Sequence, residues 1–180
     1  MSSTNSKLTR VADNIRILSA SMVEKAKSGH PGGSMGGADF MTVLYTEFLR
    51  YDPDNTSYPY RDRFFLDPGH MSPMLYSTLS LAGYYTTEDL QSLRQWGSVT
   101  PGHPEADFAR GVENTSGPLG QGHAMALGAA QLGNAQLLAF TVDKVLIDNC
   151  KTDAEQCALH DAELLEVHDH LAHDRFGNGE

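Results

Sequence analysis

Arg63-Phe64-Phe65-Leu66-Asp67-Pro68-Gly69-His70 is the stretch on which the fold turns. A short apolar run stopped by Asp-Pro-Gly-His predicts a buried strand of an α/β sheet with a functional loop at its carboxyl end. Open α/β sheets bind their ligands beyond such strand ends. Working outward, Met74, Leu75 and Leu79 mark a helix after the loop. Upstream, Leu8, Val11, Ile15, Leu18 and Met22 repeat at helical spacing and predict a helix over about 7–25. Ser28-Gly29-His30-Pro31-Gly32-Gly33 breaks it, and a second helix is expected over 38–49 with Phe40, Leu44 and Phe48 on one side. Residues 52–60 read as loop. Thr86 followed by Asp89 predicts a capping box and a helix reaching about Trp96. Residues 97–120 form a long loop, of a length that is usually functional in compact domains. A small-residue helix is expected over 120–130, strands over 137–142 and 144–148, and a helix over 153–173.

The 180 residues suffice for one domain with a hydrophobic core. The net charge of −10 argues against nucleic acid or an anionic membrane as the main partner. No apolar run approaches the length of a membrane span. The polar start, Met1 to Lys7, has no signal core, so a cytoplasmic location is expected. Cys150 and Cys157 have no zinc-site spacing and read as reduced thiols. The global charge does not exclude an anionic cofactor, which local donors, a helix N-terminus and a metal ion can hold. Acid is concentrated in 150–180, where eight acidic residues stand against Lys151 and Arg175. Composition therefore divides the chain into a Gly- and Pro-punctuated body over 1–130, a possible strand pair over 131–150 and an acidic, His-bearing helical tail over 151–180.

Three segments set a histidine in a stiff frame of glycine and proline: Ser28-Gly29-His30-Pro31-Gly32, Pro68-Gly69-His70 and Thr100-Pro101-Gly102-His103-Pro104-Glu105. Glycine lets backbone approach a ligand and proline stiffens the turn, while histidine can pass a proton near neutral pH. One such histidine alone reads as structural; three together point to a site. Thr115-Ser116-Gly117-Pro118-Leu119-Gly120-Gln121-Gly122 opens a helix and reads either as a tight turn or as a main-chain ligand cradle. It is neither a Walker A loop nor a dinucleotide fingerprint.

These segments, in this order and with Arg61-Asp62-Arg63-Phe64 and Gln95-Trp96-Gly97-Ser98-Val99 between them, resemble the N-terminal domain of the transketolases, from about Leu8 to Ala130. The resemblance implies an α/β, parallel-sheet thiamine-diphosphate-binding fold, here truncated, with the acidic helical tail added. It implies thiamine diphosphate and Mg2+ as cofactors, sugar phosphates as substrates, and transfer of a two-carbon ketol unit as in the pentose phosphate pathway. His70 is similar to the histidine that holds the cofactor near its phosphates. Gly117, Pro118 and Leu119 resemble the segment against the aminopyrimidine, and His30 and His103 the two catalytic histidines above the thiazolium.

The chain departs from the family pattern after Ala130. The family's Gly-Asp-Gly or Ser-Asp-Gly metal segment is absent, and 131–148 resembles a later strand in which Asp143 falls at a metal-ligand position. Aspartate can bind magnesium; Asp143 also reads as a turn residue. The pyrimidine-binding domain of the family is absent too, so catalysis is expected to need it from a partner chain or homo-oligomer. A non-catalytic remnant, or an interaction module pairing with an intact transketolase, is a second reading. A third is an acidic metal-binding protein using His168, His170 and His173.

Overall fold

The computed structural model of the protein describes residues 3–132 and 139–140. In chain order these form α1 (Ser3–Ala26), α2 (Pro31–Gly36), α3 (Ala38–Val43) running into a π-turn (Leu44–Phe48), β1 (Arg63–Phe64), α4 (Ser72–Leu81), α5 (Thr87–Gln91), α6 (Gln121–Leu132) and β2 (Ala139–Phe140). The described residues are mostly helical. The expected sheet reduces among them to one parallel pair, Arg63 opposite Ala139 and Phe64 opposite Phe140. The expected strand continued through Phe65 and Leu66; both are buried, but Leu66 takes its partners elsewhere. Its N–H donates to Asn114 Oδ1 at 2.9 Å and its carbonyl accepts from Asn114 Nδ2 at 3.2 Å. This side-chain amide satisfies a buried backbone pair.

Helix α4 is the centre of the core, with Ser72 through Leu79 buried on every side. A helix apolar or small all round belongs inside a domain, and each buried Leu or Met of it contributes about 1.5–3 kcal/mol relative to exposure. Helix α1 crosses it with Ala12, Ile15, Ser19 and Met22 innermost, while Val11 and Leu18 pack at the flanks. The inner stripe is narrower than the apolar pattern predicts because small residues allow close approach. Ser19 reaches Ser77 of α4, Oγ to Oγ at 3.3 Å. The expectation for 38–49 is corrected. Ala38, Met41, Thr42 and Leu44 face inward, whereas Phe40 and Phe48 are 42% and 43% exposed. Gly37 lies against the Met74 sulfur, leaving room only for small residues at the start of α3. The π-turn then rotates the following residues away from the α-helical register, with Leu49 N–H donating to the Leu44 carbonyl at 2.8 Å.

The Thr86–Asp89 capping box is present: the Asp89 N–H donates to Thr86 Oγ1 at 3.2 Å and the Thr86 N–H to Asp89 Oδ2 at 2.8 Å. Helix α5 stops at Gln91, short of the expected Trp96. Arg94 takes a left-handed backbone (φ 60°) and its N–H turns to the Thr100 carbonyl, which no helix can accommodate. The long loop over 97–120 is largely irregular, with a single 3-10 turn at Phe108–Arg110. It is pinned to β1 by ions. Arg61 Nη2 lies 2.9 Å from Glu113 Oε1 and Arg63 Nη1 3.0 Å from Oε2, in a largely buried cluster. Burial pushes the hydroxyl of neighbouring Tyr84 up to about 12. The Arg61-Asp62-Arg63 motif therefore anchors the loop next to Asn114. The expected elements over 144–148 and 153–173, and the tail histidines, lie outside the described residues.

Gly69, just after β1, sits against the loop at Ser116. A Cβ there would fall 2.8 Å from both the backbone carbon and the carbonyl oxygen of Ser116. Replacing Gly69→Ala should therefore force two backbones apart and cost about 1–3 kcal/mol, read as a lower urea midpoint at unchanged slope. A second expectation concerns α5. Hydrogen bonds from the Thr86 backbone and hydroxyl hold the Asp89 carboxyl below its ordinary 3.8. A depressed folded pKa means stability that is present above pH 3.8 and lost as pH falls through the folded value. Asp89→Ala should cost roughly 1 kcal/mol at pH 7, and the gap to wild type in urea melts should shrink toward pH 2.

Candidate functional site

The three histidine segments and the glycine-rich segment meet at one place. His30 caps the start of α2, where Ser34 Oγ donates to its carbonyl at 3.2 Å. His70 lies in the 3-10 turn Gly69–Met71 that leads into α4. The two imidazoles stand 4.9 Å apart between centroids, inclined at 51°. Met71 holds the two turns together, its Cγ only 3.0 Å from where a Cβ on Gly33 would project.

His103 approaches from the other side. Its loop hangs on α4 by two hydrogen bonds, Ser72 Oγ to the Gly102 carbonyl at 2.7 Å and Tyr76 Oη to the Pro101 carbonyl at 2.9 Å. Burial pushes the Tyr76 hydroxyl far above its usual range, so it remains a donor throughout the working pH range. The Ser116 N–H then donates to the Pro104 carbonyl at 3.0 Å, which sets Gly117 beside His103. Among the described residues a Cβ placed on Gly117 would meet His103 Cγ at 3.9 Å, an ordinary van der Waals distance. Pro118 and Leu119 are exposed, Leu119 at 67%. His30 thus meets His70, Gly69 lies against Ser116, and Gly117 lies beside His103.

A cavity of about 750 Å³ adjoins His103, walled by Arg94, Trp96, Gly102, Glu105 and Asp107 among others. Among the described residues two buried polar atoms, Asp67 Oδ1 and Ser116 Oγ, have no hydrogen-bond partner. The other Asp67 oxygen accepts from the His123 N–H in the first turn of α6 at 3.3 Å. Asp67 is fully buried. Asp67 and Ser116 lie within segments the sequence marks as loops at the site but are not singled out there, and Asn114 lies outside those segments. A carboxylate at the carboxyl end of a buried strand was the available signal for the first; nothing in the local pattern singles out the other two. Asp143, the metal candidate, lies outside the described residues. Among the described residues no group of three or more His, Cys, Asp or Glu side chains is arranged to hold a metal ion, and no helix is long and apolar enough to cross a membrane.

This geometry can be set beside known proteins. Residues 7–172 match the transketolase, thiamine diphosphate binding domain family. Transketolase from Halalkalibacterium halodurans is 55% identical over 119 residues, which is 66% of this chain and 18% of that protein. Transketolase 1 of Escherichia coli is 53% identical over 121 residues, again 18% of its length. The chain thus spans about a fifth of the curated relatives it matches. Among solved structures, transketolase from Leishmania mexicana superposes with a TM-score of 0.66 at 42% identity, over 74% of this chain and 22% of that one. Transketolase from Campylobacter jejuni gives 0.64 at 49% identity, over 68% and 19%. By a family match across most of its length and by the fold of its described part, the chain belongs to the transketolase N-terminal, thiamine-diphosphate-binding domain family.

Proposed function

We propose that this chain forms the diphosphate-side half of a transketolase-type site, binding thiamine diphosphate for transfer of a two-carbon ketol unit between sugar phosphates. The observation that carries the reading is that the four segments adjoin: His30 meets His70, Gly69 lies against Ser116, and Gly117 lies beside His103. The residues present fit the cofactor. Gly117 lies beside His103, and among the described residues the buried Ser116 Oγ and Asp67 Oδ1 lack hydrogen-bond partners. Buried polar groups without partners are uncommon in folded proteins and mark places where a ligand or water belongs.

In this reading His70 holds the cofactor near its phosphates, and the Gly117-Pro118-Leu119 segment lies against the aminopyrimidine. When bound, the cofactor supplies the electron sink for carbon–carbon cleavage. His30 and His103 bind donor-sugar hydroxyls and move a proton at an imidazole nitrogen. Preset loops reduce the ordering needed when substrate arrives. Magnesium enters the proposal through Asp143 alone. The pyrimidine side of the cofactor comes from a further domain outside these 180 residues. The small share of the relatives' length that this chain spans is compatible with that, and the exposed Leu119, Met125 and Leu127 offer it an apolar surface.

A thermal-shift titration tests the reading. A ligand that binds only the native state at a hundredfold its Kd adds about 2.7 kcal/mol, so Tm should rise on the order of 5–10 °C for a chain of this size. Thiamine diphosphate with Mg2+ should produce that rise, EDTA should abolish it, and His70→Ala should reduce it. No shift at millimolar cofactor would support the non-catalytic interaction module instead. A shift with Zn2+ alone, lost in His168→Ala/His170→Ala, would support the acidic metal-binding reading.

A further inference from the structure

We propose that Arg94 is a positioning residue that sets the separation between the loop bearing His30 and the loop bearing His103. The inference rests on the site reading above for its functional meaning, but its geometry stands independently. Arg94 Nη1 donates to Ser28 Oγ at 2.9 Å, across 66 residues of sequence, two positions before His30. The same side chain lies close against Gly102, one position before His103. A Cβ on Gly102 would fall 2.7 Å from Arg94 Nε and 3.1 Å from Cζ. One planar side chain therefore touches both histidine loops, and only glycine at 102 leaves it room.

Two further observations set Arg94 apart from an ordinary surface arginine. Its backbone is left-handed, φ 60°, an uncommon conformation for a residue with a Cβ. The conformation is held by the bond from its N–H to the Thr100 carbonyl, 3.0 Å long, and by the hydroxyl cluster of Ser92, Ser98 and Thr100. Strain of this kind persists where the surroundings hold the chain in place. The second observation is electrostatic: none of the ion pairs among the described residues includes Arg94. Its donors go to a neutral hydroxyl, and its planar face goes to packing. A guanidinium serves this purpose better than an ammonium because the fork is rigid and planar, so a contact at each end fixes a distance.

The loops are asymmetric in how else they are held. The His103 loop is also tied to α4 through Ser72 and Tyr76. The segment 27–29 carries two positive φ angles, Lys27 at 51° and Gly29 at 139°. Loss of the Arg94–Ser28 bond should therefore release the His30 side more than the His103 side. Both imidazoles should respond, with His30 moving further.

The test uses the 180-residue chain labelled in its histidine rings. Ring carbon–proton spectra are compared without cofactor for wild type, Arg94→Ala, Ser28→Ala and the double variant. Cofactor affinity is then measured by calorimetry with thiamine diphosphate and Mg2+. Arg94→Ala is expected to shift the ring resonances of His30 and His103 and to leave that of His123 unchanged. Ser28→Ala, which keeps the charge, should reproduce the His30 shift. The double variant should shift His30 no further, because the two changes remove one interaction. Cofactor affinity should fall about tenfold in Arg94→Ala and Ser28→Ala, the size of one hydrogen bond to a charged group. If Arg94→Ala does not fold, Ser28→Ala carries the same comparison. An unmoved His30 resonance in Ser28→Ala, or additive shifts in the double variant, would overturn the proposal. Wild type that binds no cofactor would remove the site reading while leaving the resonance comparison to decide the role of Arg94.

Discussion

Everything near the site depends on two backbones lying in direct contact where side chains are excluded. The α-carbon of Gly69 rests on the Ser116 peptide, with no room for even a methyl group between them. Asn114 completes the junction by pairing both polar groups of the Leu66 backbone, 48 residues away in sequence. Gly122 lies equally close to the Leu66 carbonyl, and Asp67 accepts from the first turn of α6. The end of β1 and the glycine-rich segment are thus a single packed unit. His70 and Gly117 are its two ends, and their separation is fixed by contact.

The rest of the fold serves to hold that unit in register. Helix α4, buried all round, carries His70 at its start and ties the His103 loop through Ser72 and Tyr76. The Arg61, Arg63 and Glu113 cluster secures the start of β1 to the long loop. Such buried ion groups are weak contributors to net stability but penalise any misaligned pairing, since a charge would be left alone. In this chain the penalty falls on a slip of 113–116 relative to 63–69, the movement that would dismantle the Gly69–Ser116 contact. Arg94 adds the last link, between loops that no regular element joins.

Much of this was legible in the sequence, for identifiable reasons. Helices α1, α4 and α6 announce themselves by long periodic or small-residue runs, and the Thr86–Asp89 box by its reciprocal chemistry. The Gly/Pro frames around His30, His70 and His103 could be read as one site because rigid loops with a titratable side chain are costly to keep without a ligand. What escaped were contacts made across the fold. The inward face of α3 was misjudged because apolar size suggested Phe40, whereas the narrow gap beside Gly37 and Met74 accepts Ala38 and Met41. The end of α5 was misplaced because nothing local signals that Arg94 turns left-handed. The bond from the Leu66 backbone to the Asn114 side chain, 48 residues away, has no local signal in the sequence.

The central claim is that separate histidine loops form one cluster, and its most direct measure is the proximity of His30 and His70. Their rings lie 4.9 Å apart between centroids. A nuclear Overhauser experiment on the histidine-labelled chain should give cross-peaks between the ring protons of these two residues, lost on His30→Gln. Assigned, well-dispersed spectra that contain no such cross-peak would place the loops apart and contradict the account.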